Sequence, residues 1–102
     1  MNLLEQKARY VKLSKEFLVT LAEDERLTKK DYKVLLYLLT KLDDKNFIRL
    51  PQKKVCIDLF LEKSVVSKSF RNLEMFHIIE VGTTDDFVKG YRFCQLNRYE
   101  EL

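Results

Sequence analysis

The spacing of apolar residues predicts a basic helix in the second half of the chain. Val66, Phe70 and Leu73 recur at three- and four-residue intervals, the spacing of a buried stripe along one side of a helix. The residues on the other side are mostly hydroxyl-bearing or cationic: Ser64, Val65, Ser67, Lys68 and Arg71. We therefore expect a helix over residues 64–76 with an apolar inner side and a polar, basic outer side.

A second short helix is predicted immediately before the basic one. It starts near Pro51, which suits the first turn of a helix, and runs to about Leu59. Within it Ile57 faces outward, which is unusual for a large apolar residue. Phe60 and Leu61 form the turn that joins the two helices, so the pair makes a helix-turn-helix unit.

The longest predicted helix begins at a capping box and extends to about Leu42. Thr28 and Asp31 have the spacing of that motif, in which each side chain bonds the backbone of the other residue. The main apolar stripe of this helix consists of Tyr32, Leu35, Leu36, Leu39 and Leu42. Val34 and Leu38 lie off the stripe, which indicates that the helix is covered on more than one side. The second side packs against either the preceding helix or a second copy of the chain, as in a homodimer.

The remaining predicted elements are short. Residues 10–13 and 47–50 are each expected to form a strand. Ser14 then offers an N-cap to a helix, whose apolar face consists of Phe17, Leu18 and Leu21. A terminal hairpin is predicted with arms over 78–81 and 91–96, joined by a loop.

The composition is that of a soluble globular protein. With 102 residues we expect a single domain, residues 1–102, with an N-terminal strand and helix extension over 1–27 and a core over 28–96. No apolar run approaches the roughly 20 residues of a membrane span, and the N-terminus lacks the apolar core of a secretory signal. Cys56 and Cys94 lie on apolar segments, so we expect two free buried thiols in a cytoplasmic protein.

The net charge of +3 is unevenly distributed. Residues 49–72 carry six cations and two anions, whereas the rest of the chain carries 13 cations and 14 anions. The positive excess therefore coincides with the helix-turn-helix unit, where contacts to phosphates would require it. A solvated helix face can show the same bias by chance, so the charge supports nucleic-acid binding only together with the motif.

The helix-turn-helix unit resembles that of winged helix-turn-helix proteins. Typical members contain Thr-Gln-x-x-hydrophobic-Ala, a turn, Val-Ser-Arg and a Leu, and end in Gly-hydrophobic-Ile. The matching residues are Gln52, Val55, Cys56 in place of Ala, Val66-Ser67-Lys68, Leu73 and Ile78-Ile79. With residues 10–13 and 32–39, the chain is similar to winged-helix replication proteins of plasmids and related mobile elements. The resemblance implies an α+β fold with three or more helices and a C-terminal β-hairpin wing.

Two positions depart from the family pattern. Members often have Gly in the turn between the helices and at the end of the basic helix, where the backbone φ is positive. Here Phe60 and His77 occupy those positions. Either the turn geometry differs from that of the family, or the strain of a left-handed conformation is tolerated.

We expect double-stranded DNA as the partner, with helix 64–76 in the major groove and the wing beside it. The candidate contacts are Lys53, Lys54, Lys63, Ser64, Val65, Ser67, Lys68, Arg71, Lys89 and Arg92. Arg71 suits a phosphate or a guanine, because its planar fork can bridge O6 and N7. Lys89 and Arg92 flank the base of the wing, whereas two aspartates at its tip would repel phosphate. The alternative interpretation is that Lys68 and Arg71 are a solvated surface pair with no role in binding.

Two other functions stay open. Exposed aromatic rings at Phe60, Phe87 or Tyr91 would suit a single-stranded-DNA-binding accessory of replication proteins, since bases stack on such rings. An adaptor that binds another protein would keep the fold without DNA affinity. No catalytic residue, cofactor or metal is expected, because His77 is the only histidine and no phosphate-binding loop or nucleophile motif is present.

Overall fold

The computed structural model describes residues 10–94, so the predictions that fall on residues 1–9 and 95–102 lie outside the described part. The elements are α1 (Lys15–Glu23), α2 (Lys29–Leu39), α3 (Gln52–Leu59), α4 (Lys63–Met75), β1 (Ile79–Thr83) and β2 (Lys89–Phe93). The two strands pair antiparallel as a hairpin. The order of elements is therefore the expected one, a helix-turn-helix unit followed by a hairpin.

Helix α1 begins at the predicted cap. The Ser14 Oγ accepts a hydrogen bond from the Phe17 backbone N–H at 3.0 Å. Phe17 and Leu21 are buried, but Leu18 is 46% exposed, so the apolar face is narrower than predicted. The strand predicted over residues 10–13 is absent, because none of its backbone groups bonds another segment of the described chain.

The capping box of α2 is formed as predicted. The Thr28 Oγ1 accepts from the Asp31 N–H at 3.1 Å, and the Asp31 Oδ2 accepts from the Thr28 N–H at 3.0 Å. The helix ends at Leu39 and not at Leu42. Its start is thus determined locally, by side chains three residues apart.

The buried side of α2 differs from the predicted stripe. Leu36 is 61% exposed, whereas Val34 and Leu38 are completely buried. The buried residues recur at helical spacing, and the first of them is polar. They are Asp31, Val34, Leu35, Leu38 and Leu39. Leu35 and Leu39 are buried as predicted, but the placement of Leu36 was wrong because the buried side is the one that packs against α4 and α3. Buried Asp31 was not predicted, because an acidic residue is not expected in a core.

The hydrophobic core lies where the helices meet the hairpin. Its members are Phe17, Leu21, Leu27, Val34, Leu35, Leu38, Leu39, Ile48, Val55, Val66, Phe70, Leu73, Ile78, Ile79 and Phe93. Two ring contacts hold the hairpin: Phe17 meets Phe93 edge-on at 5.7 Å, and Phe70 meets Tyr91 at 5.0 Å. The wing is therefore packed against both α1 and α4. No helix between residues 10 and 94 is long and apolar enough to cross a membrane.

The segment before α3 forms one antiparallel bridge in place of the predicted strand. Ile48 and Tyr91 exchange backbone hydrogen bonds of 2.7 and 3.0 Å. The Asn46 side chain extends this contact, donating to the Phe93 carbonyl at 2.9 Å and accepting from its N–H at 3.1 Å. Gly90 permits the close approach, since a Cβ there would lie 2.3 Å from the Ile48 carbonyl oxygen.

The hairpin strands extend further toward the tip than predicted. The register pairs Gly82 with Gly90 and Thr83 with Lys89, so the loop shortens from 82–90 to 84–88. The loop is closed by a hydrogen bond from the Thr84 N–H to the Val88 carbonyl at 3.0 Å. The wing is thus a two-stranded hairpin with a short, hydrogen-bonded loop.

The two family glycine positions do adopt left-handed backbone. Phe60 has φ 55° and ends α3, and His77 has φ 58° just after α4. At the first position the N–H groups of Phe60 and Leu61 both donate to the Cys56 carbonyl, which completes the helix end. The backbone at both positions is therefore left-handed, and the strain of a side chain in this conformation is tolerated.

We expect Phe60→Gly to raise the free energy of unfolding by about 0.5–1 kcal/mol. A left-handed non-glycine residue costs about 1–2 kcal/mol, and the extra chain entropy of glycine offsets part of the gain. Little apolar contact is lost, because Phe60 is 95% exposed. Urea denaturation followed by circular dichroism measures the change. Phe60→Ala is the matched control, since it removes the ring but keeps a Cβ, and an equal gain in both variants would contradict the strain argument.

Candidate nucleic-acid interface

The outer side of α4 is the centre of the candidate interface. At 100° per residue, Ser64, Lys68 and Arg71 lie opposite buried Val66, and all three are exposed. Val65 and Ser67 lie at the margins of this side and are half-buried. Met75, 61% exposed, continues the same side at the helix end and was not among the predicted contacts. The helix starts at Lys63, so Ser64 is inside it and does not cap it.

The cations of this side are available to a ligand. In the described residues, neither Lys68 nor Arg71 forms an ion pair or a side-chain hydrogen bond. Exposed Lys63, at the helix start, is equally without a partner there. Within the described residues, three positive groups along one helix therefore form no ion pair, an arrangement that favours a polyanionic ligand.

A buried carboxylate anchors the inner side of α4, and sequence reasoning missed this role. Asp31 is 1% exposed, and its Oδ1 accepts from the Ser69 Oγ at 2.8 Å. Both of its carboxylate oxygens also lie within 3.4 Å of the Asn72 Nδ2. Since Asp31 also belongs to the α2 capping box, one side chain joins the start of α2 to the middle of α4. Its helical spacing with Val34 and Leu38 was the available signal.

The two lysines of α3 have different surroundings. Lys53 is exposed and unpaired within residues 10–94, whereas the Lys54 Nζ lies 2.9 Å from the Asp58 Oδ1. The Tyr37 hydroxyl donates to the other oxygen of Asp58, which links α2 to α3. This bond and the hydrogen bond from Lys54 hold the pKa of the Asp58 carboxyl below its usual value. The bond to Asp58 and partial burial raise the pKa of Tyr37 to about 12. A phosphate would compete with Asp58 for Lys54.

A side-chain bond connects the two helices at the interface. The Ser67 Oγ on α4 donates to the Gln52 Oε1 at the start of α3, at 3.1 Å. Both residues are half-buried, so the pair lies at the margin of the exposed surface. The bond leaves the Gln52 amide N–H groups for a further acceptor.

The two predicted wing contacts lie on opposite faces of β2, because side chains alternate along a strand. Lys89 is exposed. Arg92 is half-buried and lies against Gly82 of the neighbouring strand, where an added Cβ would be 2.6 Å from its Nη2. A single approaching strand of DNA would therefore meet the two side chains differently.

A groove runs between the start of α3 and the wing. It has a volume of about 620 Å³, and Arg49, Gln52 and Lys89 are among its lining residues. Arg49 is exposed and was not among the predicted contacts, although it belongs to the basic segment. The groove connects the helical and wing parts of the interface.

Two large aromatic side chains near the interface are exposed. Phe60 in the turn is 95% exposed and Phe87 in the wing loop is 87% exposed, and both have positive φ. Tyr91 is half-buried against Phe70, and Phe93 is buried. Two of the three aromatic residues that were candidates for base stacking are thus open to solvent.

No family model matches the chain, and no curated protein sequence matches it. Among solved structures, the fold is similar to that of a MepR mutant from S. aureus bound to an oligodeoxyribonucleotide, with 21% sequence identity and a TM-score of 0.56. The alignment covers 94% of this chain and 61% of that one, so the chain spans less than two thirds of its neighbour's length. The α+β prediction is confirmed, and the chain has the winged helix-turn-helix fold.

Proposed function

We propose that the protein binds double-stranded DNA with α4 in the major groove. The observation that carries the proposal is the outer side of α4, where Lys68 and Arg71 are exposed and unpaired within the described chain. The major groove of DNA is about 12 Å wide and admits a helix, so cations on α4 would meet base edges and flanking phosphates. The neighbour of similar fold was solved with an oligodeoxyribonucleotide, which supports the same class of ligand here.

The proposed contacts divide into two kinds. Base contacts come from α4, where Arg71 bridges a guanine, Val65 meets a thymine methyl, and the hydroxyl of Ser64 bonds bases or phosphates. Backbone contacts come from the six remaining cations, which are Lys53, Lys54, Lys63, Lys68, Lys89 and Arg92. Ser67, whose hydroxyl donates to Gln52, is proposed to accept a hydrogen bond from a base. The mechanism is electrostatic capture followed by groove recognition, with no chemistry on the DNA.

We infer a role in regulating transcription or replication of a plasmid, phage or other mobile element. This context rests on the sequence resemblance to winged-helix replication proteins. A homodimer would double the contacts, as in many helix-turn-helix proteins, and the exposed Leu36 on α2 is compatible with that arrangement.

The proposal predicts a steep salt dependence of binding. If the six cations proposed for the backbone contacts each neutralise a phosphate, log K should fall against log salt with a slope of roughly −5.4 on a duplex. Fluorescence anisotropy with a labelled duplex of mixed sequence, between 50 and 200 mM salt (a range of about fourfold), measures the slope. A flat dependence, or no binding at the lowest salt, would reject capture of DNA by these cations.

A second candidate is binding of single-stranded DNA, favoured by exposed Phe60 and Phe87. Stacking of a base on an aromatic ring contributes about 1–3 kcal/mol per base and needs no duplex. Competition between a duplex and a single strand of equal length separates the two candidates. Preference for the single strand, lost in a Phe60→Ala, Phe87→Ala double variant, would replace the groove-binding proposal.

A further inference from the structure

The groove between α3 and the wing is lined mainly by apolar residues, and its charged lining residues are both cations. Arg49 and Lys89 lie at it, and no acidic residue is among its lining residues. Both side chains are exposed, and neither forms an ion pair within residues 10–94. Arginine and lysine side chains only donate hydrogen bonds, so a ligand between them must supply acceptors.

The position of Arg49 is determined by its neighbours. Its Cζ lies 5.9 Å from the centroid of the Phe47 ring, and the Phe47 ring itself is buried beside Gly90 of the wing. A guanidinium over an aromatic face keeps its hydrogen-bond donors free at the ring's edge. This weak contact places the exposed cation near the wing.

The groove also adjoins the outer side of α4. Gln52 lines it and accepts a hydrogen bond from Ser67 of α4, which leaves the Gln52 amide N–H groups as donors. Arg92, the second predicted wing cation, is not among the lining residues and lies against Gly82. The surface that continues from α4 to the wing thus passes Gln52, Arg49 and Lys89.

We propose that this groove holds the sugar-phosphate backbone of one strand of the duplex, with Arg49 and Lys89 each contacting a phosphate. The inference rests on the proposed function and adds Arg49 and Gln52 to its contacts. Phosphate oxygens are acceptors only, which matches a groove whose charged groups are all donors. Because the contacts are to the backbone, they contribute affinity and position without sequence preference.

The test is the salt slope of duplex binding for Arg49→Ala, Lys89→Ala and the charge-conserving Arg49→Lys. Each alanine variant should flatten the slope of log K by about 0.9, and the double variant by about 1.8. Arg49→Lys should restore most of the slope, since a lysine also neutralises a phosphate. Lys33→Ala removes an exposed cation from α2, outside the groove, and should leave the slope unchanged.

The outcomes separate this inference from the proposed function. If wild type shows a steep slope but Arg49→Ala matches Lys33→Ala, the groove does not hold the backbone and the inference is overturned while DNA binding stands. If wild type shows no slope, the proposed function fails first. Circular dichroism spectra identical to wild type establish that each variant is folded, which exposed Arg49 and Lys89 make the expected result.

Discussion

Replacing Lys68 and Arg71 together by alanine is expected to weaken binding of a duplex about 100-fold. Each side chain is proposed to make a charge-assisted contact of about 1.5 kcal/mol, and about 1.4 kcal/mol corresponds to a factor of ten. Both residues are exposed, so the fold should be unaffected. Anisotropy titrations at one low and one physiological salt concentration measure the loss.

The matched control for this pair replaces two exposed cations on another helix. Lys29→Ala, Lys33→Ala removes two exposed cations from α2 and leaves the net charge equal to that of the test variant. If both double variants lose the same affinity, only the net charge matters, and α4 has no special place. If the Lys68, Arg71 variant keeps wild-type affinity while folded, α4 does not contact DNA, and the adaptor alternative gains support.

Asp31→Ala is expected to lower the free energy of unfolding by about 3 kcal/mol. The substitution removes the acceptor of Ser69, Asn72 and the Thr28 N–H, and hydrogen bonds to a charged group contribute about 1.5–3 kcal/mol each, not additively. It also removes half of a capping box. For a domain of this size the melting temperature should fall by roughly 15 °C. Urea titration and thermal melts followed at 222 nm, a helix signal, measure both quantities.

Two variants test whether the loss arises from the buried network. Ser69→Ala removes one donor and leaves the other partners of Asp31, so its cost should be about 1 kcal/mol. Asp85→Ala makes the same chemical change at an exposed loop position and should stay within about 0.5 kcal/mol of wild type. A cost for Asp31→Ala no greater than that for Asp85→Ala would show that the buried carboxylate does not hold α4 to α2.

Local features of the fold were predictable because their causes are local. The capping box needs only Thr28 and Asp31, three residues apart, whereas the sequence left the backbone conformation of Phe60 and His77 open. The buried stripe of Val66, Phe70 and Leu73 follows from the helical repeat. The outer side of α4 is then the remainder of that helix, which is why Lys68 and Arg71 are exposed as expected.

The predictions were wrong where burial or strand pairing depends on a second segment of the chain. Leu36 was placed on the main buried stripe and Val34 on a second covered side, because the sequence of α2 does not reveal which side packs on α4. The predicted strand at 10–13 has no neighbouring strand within the described chain, and a strand without a partner leaves its backbone groups unpaired.

The availability of the candidate contacts likewise depends on neighbouring elements. Charge alone treats Lys89 and Arg92 as equal, but Lys89 is exposed whereas Arg92 is half-buried against Gly82 of β1. Composition and periodicity thus determine where the helices form and where positive charge accumulates. Which cations can reach a ligand follows from packing, because burial and ion pairing depend on distances between elements that the order of residues does not specify.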